Sequence, residues 1–169
     1  MSLKKIAVVG AGVTGLTTAI LLRLSGYSVE VFSREHPVID HKKPFFASSF
    51  PAASILPHSI KSPISKKLFL SSTLFFHQLF EHNFPGIHRQ IHYEVFSEAP
   101  KSNPTYLPWL TGCTELPVNG RYFIPHLPDN PLSRAWKSSM FFVDWPTYWK
   151  ALLSTFNALE IPLAIETID

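Results

Sequence analysis

Residues 5–35 read KIAVVGAGVTGLTTAILLRLSGYSVEVFSRE, and this stretch decides the fold. Ile6-Ala7-Val8-Val9 is a short, unbroken apolar run, the pattern of a strand buried on both faces of a parallel sheet. Beyond the glycines, Val13, Leu16, Ile20 and Leu24 recur at helical spacing, with small Gly15 and Ala19 beside them. Gly26 stands where a helix C-cap belongs. Ser28 to Phe32 then alternates and β-branches like a second strand. The order is strand, glycine turn, helix, strand.

Gly10-Ala11-Gly12-Val13-Thr14-Gly15 is a G-x-G-x-x-G turn in the context that gives it meaning, after a strand and opening a helix. Gly10 permits the tight turn, Gly12 lets a diphosphate approach the backbone, and Gly15 lets the helix lie close on the sheet. The N-terminus of the helix offers unpaired N–H groups and a positive dipole end to phosphates. A dinucleotide-binding start follows. An acid about 20 residues beyond the glycines usually grips the adenosine ribose. Ser33 stands there, followed by Arg34 and Glu35. Ser33 offers one weak hydrogen bond, so Glu35 or the backbone must help, and Arg34 leaves a 2′-phosphate and NADP open.

Working outward, Lys42-Lys43-Pro44 belongs to a polar loop. Residues 45–57, FFASSFPAASILP, are small side chains flanked by aromatics and prolines. Small residues in a loop allow close approach to a backbone or a ligand. The succession V-x-V-F-S-R-E, a polar loop, then F-A-S-x-F-x-A-A-x-x-x-P resembles the D-amino-acid oxidase family of FAD-dependent oxidoreductases. Ser33-Arg34-Glu35 matches the family's small residue followed by Arg and an acid. The resemblance implies that Ser48 is the hydroxyl near the flavin diphosphate, and that Ala52 and Ala53 are the small run beside the flavin. Pro51 departs from the family, which has a small residue there, and Ala52 replaces a Gly found in some members.

The rest of the chain reads as a helix, a strand-rich middle and a return to the first sheet. Ser62-Pro63 is a cap and first-turn pair for a helix that could run from Ile64 to about Phe84, stopped by Pro85-Gly86. Ile91, Tyr93 and Val95 alternate with His92 and Glu94 as a half-buried strand. Seven prolines between 100 and 131 exclude a long helix, and Asn119-Gly120 signals a type I′ hairpin. Met140–Val143 is a short strand candidate. Asp144-Trp145-Pro146 opens a last helix whose face holds Tyr148, Leu152, Phe156 and Leu159, followed by a strand at 163–165. A helix with an early Tyr leading back to the nucleotide-binding sheet is again similar to the middle of the oxidase family.

Composition narrows the function. The 169 residues are 46% hydrophobic and 16% charged, which argues against global disorder. A net charge of +3 with scattered lysine pairs gives no basic stripe, so no nucleic-acid partner is expected. No apolar run approaches the length of a membrane span, and the glycines cut the apolar start too often for a signal peptide. One cysteine, Cys113, excludes an internal disulfide and suits a reducing, cytoplasmic setting. As a nucleophile Cys113 has no adjacent base. His77, Glu81, His82, His88 and His92 miss the spacing of zinc motifs, so no metal is expected.

These readings combine into an α/β fold: a Rossmann-type FAD-binding βαβ with an inserted, partly β substrate-side region and an incomplete sheet. Residues 1–60 and 144–169 would form the FAD-binding portion, and 61–143 the helix and insertion. The resemblance implies oxidation of an amine or amino acid by hydride transfer to flavin. Family members are about twice as long and carry their catalytic residues in the other half, so none is assigned here. A second polypeptide or self-association is expected to complete the fold, the chain being a truncated product, a fragment or a subunit. A non-catalytic nucleotide-binding module and an NAD(P)-dependent enzyme are the alternatives.

Overall fold

The computed structural model describes residues 4–38, 48, 54–57, 62–96, 102–117 and 133–167. Asn119-Gly120, Ala52 and Ala53 lie outside them. The chain divides into two compact units, 1–53 with 144–169, and 54–143.

In the first unit, β1 (Lys5–Val9) leads through the glycine turn into α1 (Val13–Leu24) and β2 (Ser28–Ser33). The later α3 (Trp145–Ala158) and β6 (Leu163–Ile165) belong to the same unit. The sheet is parallel, in the order β1-β2-β6. Helix α1 closes in a Schellman turn, with Gly26 N–H donating to Arg23 and Tyr27 N–H to Leu22. Helix α3 packs beside α1, and a hydrogen bond joins the side chains of Tyr148 and Thr17. Burial pushes the Tyr148 phenol above its ordinary pKa, and the Thr17 contact opposes that in part.

Strand β1 departs from the sequence expectation. Ile6 pairs with Val29 and Val8 with Val31, which puts these four side chains on one face. Val8 reaches toward Gly15, so that face is the one α1 covers. Val29 and Val31 are fully buried there. Lys5, Ala7 and Val9 point to the other face and are exposed, Val9 at 70%. Glu30 shares that face and bonds Lys5 at 3.0 Å. The apolar run therefore does not mean two buried faces within this chain, because only one face is covered among the described residues.

The second unit is an antiparallel sheet with a helix upon it. Its elements are α2 (Ser65–Glu81), β3 (Ile87–Phe96), β4 (Thr111–Leu116) and β5 (Arg134–Val143), with a 3-10 turn at Leu107–Trp109. The strand order is β3-β5-β4. Being central, β5 buries Ala135, Trp136, Ser138, Met140, Phe141 and Val143. Helix α2 packs on β3 and β5, with Phe80 set 5.8 Å from Phe141 between ring centroids. A second core gathers Tyr106, Leu107 and Trp136, against which Phe96 stands edge-on at 5.4 Å.

Several boundaries differ from the sequence reading for local reasons. The α-helix begins at Ser65, after a turn in which Ser65 N–H donates to the Ser62 carbonyl. Ser62 still behaves as a cap, accepting from Ile64 N–H at 3.4 Å, while its own N–H donates to Ser65 Oγ at 3.0 Å. The helix stops at Glu81, ahead of Pro85-Gly86, because Asn83 enters the left-handed region with φ 53° and Phe84 N–H turns back to Leu79. Strand β3 starts at Ile87 and β5 at Arg134, both earlier than the apolar alternation suggests. Among the described residues no helix is long and apolar enough to cross a membrane.

Candidate functional site

The glycine turn is held by hydrogen bonds on three sides. Gly10 N–H donates to the Phe32 carbonyl at 2.7 Å, prolonging the β1–β2 ladder into the turn. Gly10 has φ +100°, a conformation that L side chains rarely adopt. A Cβ on Gly15 would stand 1.8 Å from the Gly10 carbonyl oxygen, so no other residue fits there. Leu16 N–H then takes up the Gly12 carbonyl at 2.9 Å as the first helical bond.

Two serine hydroxyls complete the arrangement. Ser33, at the end of β2 and 6% exposed, accepts from Ala11 N–H at 3.2 Å and donates to the Glu35 carbonyl at 2.8 Å. Its hydroxyl thus latches the turn to the end of the second strand, a use that spacing alone could not reveal. Ser48 accepts from Val13 N–H at 2.9 Å, at the first residue of α1. A Cβ on Gly12 would lie 2.8 Å from Ser48 Oγ, so a side chain there would drive Ser48 away. The sequence brought Ser48 forward only through a family resemblance. Among the described residues the N–H groups of Gly12, Thr14 and Gly15 have no acceptor. Three unshared amides at a helix start, with the dipole behind them, form an anion cradle.

Arg34 and Glu35 form an ion pair through Arg34 Nε and Glu35 Oε1. Arg34 is largely exposed and Glu35 partly buried. The guanidinium is therefore already committed to a carboxylate, which weakens it as an anchor for a 2′-phosphate. Ala52 and Ala53, the other two residues implied by the family resemblance, lie outside the described residues.

The remaining candidates fall in the second unit. Tyr106 donates its hydroxyl to Glu94. Burial pushes the Cys113 thiol up, and the Glu94 carboxylate adds to this, so Cys113 stays protonated and makes a poor nucleophile. Burial, then the bond to Glu94, raises the Tyr106 phenol in the same way. His77 Nδ1 lies 3.9 Å from Glu81 on the next turn of α2. Among the described residues no three His, Cys, Asp or Glu side chains gather closely enough to hold a metal ion.

Comparison with known proteins defines the class of chain to which this fold and turn belong. The family model described as FAD dependent oxidoreductase (DAO) matches residues 5–125. The chain belongs to that family, and membership implies FAD as the cofactor. Solved structures share the fold. Iminodiacetate oxidase from Chelativorans sp. BNC1 is similar at TM-score 0.65 and 17% identity, over 95% of this chain and 46% of that one. L-Amino acid deaminase from Proteus vulgaris gives TM-score 0.64 at 13% identity, over 97% and 40%. L-Amino acid deaminase from Proteus myxofaciens, in complex with anthranilate, gives 0.64 at 14%, over 97% and 38%. The chain thus spans less than half the length of these structures. Among curated proteins no sequence matches significantly.

Proposed function

We propose that this chain carries the FAD-binding part of an oxidoreductase of the amino-acid oxidase type, acting on an amine or amino acid. The observation that carries the reading is the set of unshared amides gathered with Ser48 at the start of α1. The amides of the Gly10-Ala11-Gly12-Val13-Thr14-Gly15 turn would receive the diphosphate. Ser48 accepts from Val13 and has its own proton to give to a phosphate oxygen. Ser33 would serve by fixing the turn, and Glu35, with Arg34 neutralising part of its charge, would receive the ribose hydroxyls. Ala52 and Ala53 would lie toward the flavin. When bound, FAD supplies the acceptor for the hydride leaving the substrate carbon, and the protein supplies position and electrostatics.

The unit 1–53 with 144–169 would be the FAD-binding portion, and 54–143 the substrate side. A second segment or polypeptide would complete the active enzyme. The open face of the first sheet supports this, since parallel sheets are normally covered on both sides. Titration of the purified chain with FAD, NAD and NADP is expected to give clear preference for FAD, and none of that affinity in Gly12→Val. Preference for a nicotinamide cofactor would overturn the reading. With excess FAD and a panel of D- and L-amino acids, the chain alone should be inactive and gain turnover on addition of the complementary half. A monodisperse monomer that turns over substrate would refute the need for a partner.

A further inference from the structure

Helix α2 turns only part of its circumference toward its own sheet. Phe69 and Phe80 face inward, Phe69 buried and Phe80 set against Phe141. Along another face run Lys67, Leu70, Leu74, His77 and Glu81, and all five are exposed, Leu70 at 47% and Leu74 at 59%. Their spacing alternates three and four residues, the repeat that keeps one seam of a helix in line with a partner helix. The helix has 17 residues, so the seam is about 25 Å long.

Charge is graded along this seam. Lys66 and Lys67 lie in the first turn of the helix, and Glu81 is its last residue. Between them Leu70 and Leu74 supply the apolar part, and His77 stands 3.9 Å from Glu81. Laid parallel on a copy of itself, the seam would set lysine on lysine and Glu81 on Glu81. Laid antiparallel, it sets the lysine end of each helix on Glu81 of the other and gathers four leucines in the middle. The midpoint of Leu70 and Leu74 is Ser72, and that of Lys67 and Glu81 is Leu74, about half a turn away. One two-fold axis therefore serves the leucines and the charges together, as an isologous contact requires.

We propose that this face of α2 is the contact of a homodimer, in which α2 pairs antiparallel with α2 of a second copy. Leu70 and Leu74 of each copy pack across the axis, and Lys67 of one copy faces Glu81 of the other. The order of charges selects this occupant. An anionic lipid surface would meet Glu81 as well as the lysines, whereas a second copy offers each end its opposite. A helix pair of this length lies at the small end of specific interfaces, so the dimer dissociates in about the micromolar range. Pairing involves neither the glycine turn nor FAD, so it goes beyond the cofactor reading and stands or falls apart from it.

The test is sedimentation velocity on the full chain, over a concentration series through the micromolar range. A reversible monomer–dimer equilibrium is expected, weakened by added salt. Leu74→Asp should leave only monomer, because it sets two carboxylates beside the axis, and whatever affinity the chain has for FAD should stay as it was. Lys67→Glu and Glu81→Lys should each weaken the dimer by about three- to tenfold, and the double exchange should restore most of the loss. Both changes suit the helix dipole, acid at the start and base at the end, so these variants should fold, with an unchanged circular dichroism spectrum. A merely structural role for either residue would not give recovery in the double exchange. A chain that stays monomeric at every concentration overturns the assignment. So does a dimer that Leu74→Asp leaves intact, or a double exchange no tighter than the single variants. Binding of the monomer to phosphatidylglycerol vesicles through Leu70 and Leu74, or displacement of the second copy by the complementary half, would give the face to another partner and overturn it as well.

Discussion

The two sheets of this chain solve the same problem to different degrees. The antiparallel β3-β5-β4 sheet places its most apolar strand in the centre and gives its edge strands polar, exposed positions such as Arg89, Gln90 and Glu115. Antiparallel sheets tolerate water on one face, and in this unit β3 exposes Ile91 and Tyr93 while α2 exposes Leu68, Leu70 and Leu74. The parallel β1-β2-β6 sheet has α1 on one face, with α3 packed beside α1, and, on the other, exposed Ala7 and Val9. Parallel sheets are normally covered on both faces, and among the described residues this one is covered on one. The difference teaches that a parallel sheet shows an uncovered face more plainly than an antiparallel one, whose outer face water can wet.

Three perturbations break or sharpen that contrast. The largest effect is expected from Gly15→Val, whose Cβ would fall 1.8 Å from the Gly10 carbonyl oxygen. Backbone overlap of that size should cost about 4 kcal/mol or more. Amide exchange should then show β1, β2 and β6 losing protection while β3, β4 and β5 keep theirs. Simultaneous loss in both sheets would mean that the two units are not separately closed.

A matched pair of truncations compares the two faces of the first sheet. Val31 is 0% exposed and should cost about 2 kcal/mol as Val31→Ala, the value of a buried valine side chain. Val9 is 70% exposed, and Val9→Ala should stay within about 0.5 kcal/mol. Denaturant midpoints of the two variants decide the matter; equal losses would show the outer face to be covered. Addition of the complementary half should raise the cost of Val9→Ala.

Tyr106→Phe carries the smallest effect, about 1 kcal/mol at neutral pH for one lost hydrogen bond to Glu94. Its signature is in alkali. The phenol is raised by burial and by Glu94, so its folded pKa exceeds the unfolded value near 10. Its contribution is complete below about pH 10 and is lost as pH rises through the folded value. Melting temperatures above pH 10 should therefore fall less steeply in Tyr106→Phe than in the native chain. An identical slope would place the alkaline sensitivity elsewhere, for instance at Tyr148.

The glycine turn was legible from residues alone because its constraints are local. Gly10 and Gly15 answer to one backbone angle and one close approach, and both leave marks in spacing. The helices were legible for the same reason, although Asn83 ended α2 before the Pro-Gly pair that announced its stop. Strand β3 hid its first half because an edge strand can carry His88, Arg89 and Gln90 without burying them. Strand β5 hid because Lys137 and Ser138 interrupt its apolar pattern, although Ser138 is buried. The open face of β1 could not be read at all. Ala7 and Val9 look the same whether a neighbour covers them or not, since coverage is a property of the partner. Ser33 was placed by its spacing, but its two hydrogen bonds depend on where Ala11 and Glu35 arrive in space.

The Ser33 latch has a thermodynamic consequence. A loop that must be organised by its ligand charges the ordering entropy against affinity. Here Ala11 is anchored through Ser33 and Val13 through Ser48, so the turn is shaped by the same cooperative event that folds the unit. If the turn receives a diphosphate as proposed, that ligand would meet dipoles already aimed, and little of its binding free energy would be diverted into stiffening the backbone. Loss of either hydroxyl should consequently appear less as a missing contact than as an entropic penalty on every anion the turn can hold.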